Sequence, residues 1–411
     1  MKILLINNYH YRFGGASVVY FNTANMLRSN GHQVVFFSIN HKENFNSEFQ
    51  KYFIEKKVDT KGNIINKVKN FKQYFNNNQA AEKIEELIIN EKPDIAHIHL
   101  FIGGITPSIL PVLKKHKIPV VYTAHDYRLV CPAYTFTNGV GEICEKCQGK
   151  YFYYCITNKC SKNSLIESTV MSLEMYYRNK YFNPAKYIDG FIYVSNFSKN
   201  KHIKFFPELE TKKNIVLYNF VSDVEKTETK KDYFLFFGRL SHEKGLNTLI
   251  SAFSKLNNCK LVIAGDGPEK NSIELLIKKN NISNIRCIGF VQGEELRRLI
   301  SNAFFVVVPS ECYENNPMTI VEAYKHGTPV IGTNIGGIPE IIKENETGFI
   351  FELRNINDLI YAIQKAKNLS NEAYENMCNN ALRFSAEHFN EQIHSRKLIN
   401  FYSEVIKSIK Y

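Results

Sequence analysis

The stretch around residues 304–327 admits few folds. Residues 304–308 form a short apolar run, rich in β-branched side chains, that stops at Pro309, so a buried strand opens into a loop carrying Glu314, Asn315 and Asn316. Pro317 suits a first helical turn, where its missing N–H would go unpaired anyway. Met318, Ile320, Val321 and Tyr324 then give the helix an apolar side, and Lys325 and Gly327 end it. In such a strand-loop-helix unit the free N–H groups near Met318 and Thr319 point above the carboxyl end of the strand, where they favour an anion. Glu314 before the helix and Glu322 within it make an E-x7-E spacing that sets the second about a turn below the first, and carboxylates there suit sugar hydroxyls. Taken alone, two glutamates at this spacing read better as a loop charge and a solvated helical residue; the rest of the chain decides.

The same unit recurs. Apolar runs at 2–7, 33–38, 95–100, 119–124, 190–194, 216–219, 233–237, 260–264, 285–288 and 347–351 read as strands, with helical patterns between many of them. Ser17 is the expected cap of the first helix, and helices are expected at 105–115, 164–181, 246–256 and 390–410. Strands alternating with helices predict an α/β chain with parallel sheets. At 411 residues the chain is too long for one ordinary core, and the charged run 222–232 has the composition of a linker, so two domains are expected, 1–220 and 221–388, with 389–411 as a closing helix.

Lys and Arg exceed Asp and Glu by 12, which implies an anionic partner: a nucleotide, a nucleic acid or a membrane surface. No run approaches a membrane span, and 3–6 is too short for a signal peptide, so a cytoplasmic protein is expected. Between Lys51 and Lys72 seven lysines interleave with Tyr52, Phe53 and Phe71, which reads either as a surface for anionic lipid headgroups or as an ordinary solvated face. No helix-turn-helix, zinc-finger or RNA-binding signature accompanies the basic charge.

Three further strand-to-helix turns carry chemistry-bearing residues. Gly14-Gly15 follows the first strand, where backbone free of side chains can approach a phosphate, although a Gly pair is also a plain tight turn. His99 and His125-Asp126 end two other strands, at the rim from which side chains reach a crevice above a sheet. Gly238-Arg239-Leu240-Ser241-His242-Glu243-Lys244-Gly245 offers a planar guanidinium fork and a compact ammonium, together able to neutralise a diphosphate. Directly after His125 comes Cys131-x12-Cys144-x2-Cys147-x12-Cys160, with Cys155 left over. The C-x2-C centre has metal-knuckle spacing, so Cys131, Cys144, Cys147 and Cys160 are candidate ligands of a structural zinc closing a cysteine-rich insertion at 131–160. The alternatives are reduced buried thiols or a pair of disulfides, the latter disfavoured in a cytosolic chain.

In order along the chain, Gly14-Gly15, the segment T-A-H-D-Y-R-L-V-C-P around His125, the G-R-x-x-x-x-K-G run from Gly238 to Gly245 and the stretch from Glu311 to Pro339 resemble the retaining glycosyltransferases of family 4, across nearly the full length. The resemblance implies two facing Rossmann-like domains, the GT-B arrangement, with the last helix crossing back to the first domain. It implies transfer of a sugar from a nucleoside diphosphate donor, with Arg239 and Lys244 on the diphosphate, Glu314 and His125 on the transferred sugar, and Glu322 on the ribose. Gly14 and Gly15 would border the donor phosphates, the backbone at Phe290 the nucleobase, and Asn316, Pro317, Met318 and Thr319 the rest of the donor. Many relatives place a small or aromatic pair where Asn315-Asn316 stand, which leaves the donor sugar open. No Asp-x-Asp occurs, so no catalytic metal is expected. The acceptor is expected to be a lipid-linked or oligosaccharide hydroxyl in cell-surface polysaccharide assembly, with the enzyme peripheral on the inner membrane face. The rival readings are a nucleotide-sugar 2-epimerase of the same fold and a nucleic-acid-binding protein.

Overall fold

The computed structural model describes residues 1–55, 73–222 and 232–410. They divide into two compact units, the first built from 1–194, 198–217 and 395–411 and the second from 195–197 and 218–394. The charged linker expected at 222–232 and the lysines from Lys56 to Lys72 lie largely or wholly outside the described residues.

In the first unit, β1 (Lys2–Asn7), β2 (Gln33–Phe37), β3 (Ile95–Leu100), β4 (Val120–Ala124), β5 (Gly190–Tyr193) and β6 (Lys213–Val216) form one sheet in the order β2-β1-β3-β4-β5-β6. In the second, β7 (Phe234–Phe237), β8 (Leu261–Ala264), β9 (Ile285–Gly289), β10 (Phe305–Val308), β11 (Val330–Thr333) and β12 (Gly348–Phe351) run β12-β11-β10-β7-β8-β9. Every neighbouring pair is parallel. Parallel strands are covered on both faces, which is why β7 reads FLFF and β10 FVVV with every residue buried. Leu249 and Phe253 from the helix Leu246–Phe253, and Leu359 and Ile363 from Ile356–Lys367, pack with them in the second core.

The strand orders locate the crevices. In the second sheet the chain winds from β7 outward through β8 to β9, then restarts at β10 on the other side of β7 and winds away through β11 to β12. The order reverses between β7 and β10, and ligands of open α/β sheets bind outside the carboxyl ends of the strands at such a point. The matching reversal of the first sheet lies between β1 and β3.

Several local expectations shift. The first helix runs Gly15–Ser29 with Gly14 as its N-cap, so Ser17 is a buried interior residue rather than the cap. The helix expected from 105 begins at Ile109, because Thr106 sits at φ 72° ahead of Pro107. Tyr52 and Phe53 are 1% and 3% exposed. Ile54 bridges Ile39 beside them, so the two rings belong to the core rather than to a surface that could meet lipid. The closing helix, Glu391–Lys410, buries Leu398, Tyr402 and Val405, and Tyr402 meets His97 of β3 within the first unit, hydroxyl to Nδ1 at 2.6 Å.

Candidate active site

The two richest motifs of the second unit lie on the strands that flank its reversal. The loop after β7 carries Arg239 and Lys244, and the loop after β10 carries Ser310, Glu311 and Glu314. The helix Met318–Lys325 follows, with Pro317 as its N-cap and no side chain capping its first N–H groups. The structure joins two of the expected residues directly. Lys244 Nζ lies 2.6 Å from Glu314 Oε1, and Ser310 Oγ donates to the same oxygen at 2.8 Å. Burial pushes the Glu314 carboxyl upward, but Lys244 and the two hydrogen bonds outweigh it and hold its pKa below the ordinary value. For Lys244 burial works downward, and Glu314 more than reverses it, so the ammonium is held charged. A cation and a carboxylate are thus kept ionised at the mouth of the crevice.

Neighbouring loops fix this pair by backbone contact. Gly337 N–H donates to the Glu314 carbonyl at 2.7 Å, and a Cβ on Gly337 would lie 1.9 Å from the Asn315 carbonyl oxygen. Glu311 is buried, accepts from Thr248 Oγ1 at 2.8 Å and pairs with Arg354 at 2.7 Å. Asn316 is buried too: its Oδ1 accepts the Asn219 N–H at 2.8 Å and its carbonyl the Asn219 side-chain amide at 2.8 Å, which ties down the residue just before Pro317. Arg239 is exposed, Met318, Thr319 and Glu322 are half-buried, and Phe290, next to Gly289 at the end of β9, is 67% exposed. Ser310 and Asn219 carried no signal in the sequence; their roles follow only from the fold.

In the first unit, Gly14 has φ 88° and open space where a Cβ would project, directly before the uncapped start of the helix Gly15–Ser29. His99, the second last residue of β3, meets His125 just past β4: Nδ1 to Nε2 is 2.8 Å and the rings stack at 5.0 Å. His97 lies beneath His99, with ring centroids 4.3 Å apart, and bonds Thr123 Oγ1 at 2.7 Å. Burial holds His125 neutral by pushing its pKa down to about 4. Beside it, Asp126 pairs with Arg128 at 2.9 Å.

His10 and His202 are likewise pushed down to about 4 by burial. With all three below the ordinary value of 6.5, the unfolded chain takes up protons between pH 6.5 and about 4 that the folded chain refuses. Stability therefore falls as pH falls through that window, each histidine contributing up to about 1.4 kcal/mol per pH unit. Melting temperatures at pH 7.0, 6.0 and 5.5, where ordinary carboxylates are still ionised, are expected to drop steadily; a flat profile would mean that these rings are protonated in the folded protein.

Cys131, Cys144, Cys147, Cys155 and Cys160 are free thiols. Cys155 and Cys144 hydrogen-bond to Cys160, and the Cys155 bond is the main cause of its lowered pKa. Cys131 and Cys147 are buried, and burial raises their thiols. Among the described residues no group of three or more His, Cys, Asp or Glu side chains is arranged to hold a metal ion. No helix among them is long and apolar enough to cross a membrane.

The model of Glycosyltransferase Family 4 matches residues 13–224, and that of Glycosyl transferases group 1 matches residues 218–384. The chain is 27% identical over 375 residues to an uncharacterized 42.6 kDa protein in the cps region of Klebsiella pneumoniae, covering 87% of this chain and 91% of that protein. It is 30% identical over 284 residues to an uncharacterized glycosyltransferase of Methanocaldococcus jannaschii, covering 68% and 67%. Among solved structures it resembles a sucrose-phosphate synthase from Thermosynechococcus elongatus, with TM-score 0.71, 17% identity and 99% coverage of both chains. It also resembles Anabaena Alr3699/HepE in complex with UDP, with TM-score 0.67, 18% identity and coverage of 98% of this chain and 100% of that one. At such identities the structures speak for the fold alone, while the family model spans more than half of the chain. The chain belongs to glycosyltransferase family 4, and it is a glycosyltransferase built on the GT-B plan of two parallel α/β units.

Proposed function

We propose that the enzyme moves a sugar from a nucleoside diphosphate donor, with retention of configuration, to a hydroxyl of a lipid-linked glycan in surface-polysaccharide assembly. The observation that carries this reading is the Lys244–Glu314–Ser310 cluster beside the uncapped helix Met318–Lys325, at the reversal of the second sheet. Departure of a nucleoside diphosphate leaves negative charge on the phosphate and positive charge at the anomeric carbon. Preorganised cations and helix N–H groups stabilise the first. Lys244, with Arg239 and the N–H groups near Met318 and Thr319, takes the diphosphate. Glu314, released from Lys244 as the phosphate arrives, accepts hydroxyls of the sugar, and Glu322 accepts those of the ribose.

Phe290 lies by the base, and Asn316 and Pro317 set the entry of the helix. In the first unit Gly14, Gly15 and His125 keep the roles that the resemblance gives them. A neutral His125 orients the sugar rather than attacking it, and the leaving phosphate itself accepts the acceptor's proton, so the step needs no protein nucleophile and no catalytic metal. The donor class is supported by the solved relatives in complex with UDP and with UDP-glucose, and the polysaccharide setting by the relative from a cps region.

Thermal-shift binding tests it. UDP, GDP and ADP and their sugars are titrated against the intact protein, Glu322→Ala and Arg239→Ala. One nucleotide is expected to raise the melting temperature of the intact protein, by the equivalent of about 2.7 kcal/mol at a hundredfold excess over Kd, and to raise both variants far less. No response to any nucleotide would overturn the donor assignment.

A further inference from the structure

Among the described residues, more than half of the large apolar and aromatic side chains that stand exposed fall between Tyr134 and Tyr181. The helix Leu165–Tyr181 shows why. Its buried side is mostly polar: Ser168 and Ser172 sit against the protein, Glu174 pairs with Arg178 in the interior at 2.8 Å, and Met175 is the one apolar side chain buried with them. Ser172 donates to the Phe152 carbonyl at 2.9 Å, and Arg178 donates to the Arg128 carbonyl at 2.8 Å. The outward side carries Ile166, Leu173 and Tyr176, spaced so that they share one face. Ile166 is 78% exposed and Leu173 45%. The helix therefore turns an apolar patch to solvent while burying mostly polar side chains, unlike an ordinary surface helix.

That face continues beyond the helix. The Tyr176 hydroxyl accepts the Tyr153 N–H at 3.3 Å, and Tyr153 lies against Tyr151 with ring centroids 6.2 Å apart, both rings exposed. Lysines border it at both ends, with Lys159 and Lys162 before the helix and Lys180 and Lys186 around its end, and Lys180 Nζ sits 5.3 Å from the Tyr181 ring centroid. The one acidic side chain on the helix outside the buried Glu174–Arg178 pair is Glu167, which Lys162 neutralises at 3.1 Å.

We propose that this face is a docking surface for an anionic lipid bilayer. Aliphatic side chains enter the acyl boundary, tyrosines lie at the headgroup level, and the flanking lysines meet lipid phosphates. A second copy of the chain is the poorer occupant, because a two-fold pairing of this face would set its lysines against the same lysines. The proposal deepens the lipid-linked acceptor reading by giving the enzyme a way to reach such an acceptor.

Cosedimentation with vesicles of phosphatidylglycerol in phosphatidylcholine, with pure phosphatidylcholine as control, tests it on the full chain without donor or acceptor. Failure here leaves nucleotide binding and transfer to a soluble acceptor intact and so is distinguishable from failure of the functional reading. The intact protein is expected to bind the anionic vesicles at low salt and to lose binding as salt rises. I166D/L173D, both at exposed positions, is expected to melt like the intact protein and bind at least tenfold more weakly, and Tyr151→Ala to weaken binding less. Absence of binding to the anionic vesicles, or equal binding by I166D/L173D, which would move the contact elsewhere on the chain, would overturn the proposal. So would a dimer in solution that the same variant dissociates.

Discussion

Lys244→Met is expected to lower kcat/KM by about 10²–10³-fold, the range for loss of one preorganised donor aimed at developing charge. Met keeps most of the stem and removes the ammonium, so the loss reads the charge and not the packing. The same change leaves the Glu314 carboxylate with the Ser310 hydroxyl but without its cation. Burial then dominates, and the carboxyl pKa rises from its lowered value. In the intact protein Glu314 is depressed, so its pairing contributes stability above the ordinary carboxylate pKa of 4.5 and loses it as pH falls through the folded value. In Lys244→Met that acid dependence is expected to vanish or reverse, seen as melting temperatures of variant and intact protein that converge on acidification. Adding Glu314→Gln removes the stranded charge. The double variant K244M/E314Q is therefore expected to recover stability at pH 7 without recovering activity, a non-additive cycle that separates the structural part of the pair from the chemical part. Transfer by Lys244→Met within threefold of the intact enzyme would take Lys244 out of the diphosphate clamp.

How much of this was legible beforehand follows from the range of each interaction. Most strands were, because a parallel strand covered on both faces needs an unbroken apolar run, and β7, β8 and β10 each supply one; β6 instead ends at Val216, where the expected strand 216–219 begins, and β11, only four residues long, was not among those expected. The motif turns were, because chemistry at the carboxyl ends of such strands is confined to short loops. The first helix cap falls elsewhere than Ser17: a serine near a helix start is a good cap on average, but here Gly14 at φ 88° turns the chain three residues earlier. Partnerships across long separations left no trace. Lys244 meets Glu314 across 70 residues, Asn219 meets Asn316 across 97 and His97 meets Tyr402 across 305. The apolar pattern of 165–181 also reveals that the helix has two faces, but not that the polar one is buried, since that depends on carbonyls such as those of Arg128 and Phe152 being there to receive it.

Gly245→Ala is expected to damage the second unit far more than its size suggests. Gly245 sits at φ 70°, and a Cβ there would lie 1.9 Å from the Pro309 carbonyl oxygen and 3.2 Å from Glu311 Cγ. Neither neighbour can step aside. Glu311 N–H donates to the Glu243 carbonyl at 2.8 Å, and its side chain is held by Thr248 and Arg354. The left-handed backbone and the overpacking each cost about 1–3 kcal/mol, so a loss of roughly 2–6 kcal/mol is expected. In a unit of this size that is about 4–24 °C in Tm. Gly14→Ala is the control. Its φ of 88° with ψ −179° also costs an L residue about 1–3 kcal/mol, but nothing lies within 4 Å of the added methyl, so the overpacking is missing. Thermal melts should show Gly245→Ala losing about twice as much stability as Gly14→Ala, with Gly245→Ala also weakening nucleotide binding because Lys244 precedes it on the displaced loop. Equal losses would mean that the loops after β7 and β10 can part, and that the Lys244–Glu314 pair is not held by the backbone contact between them.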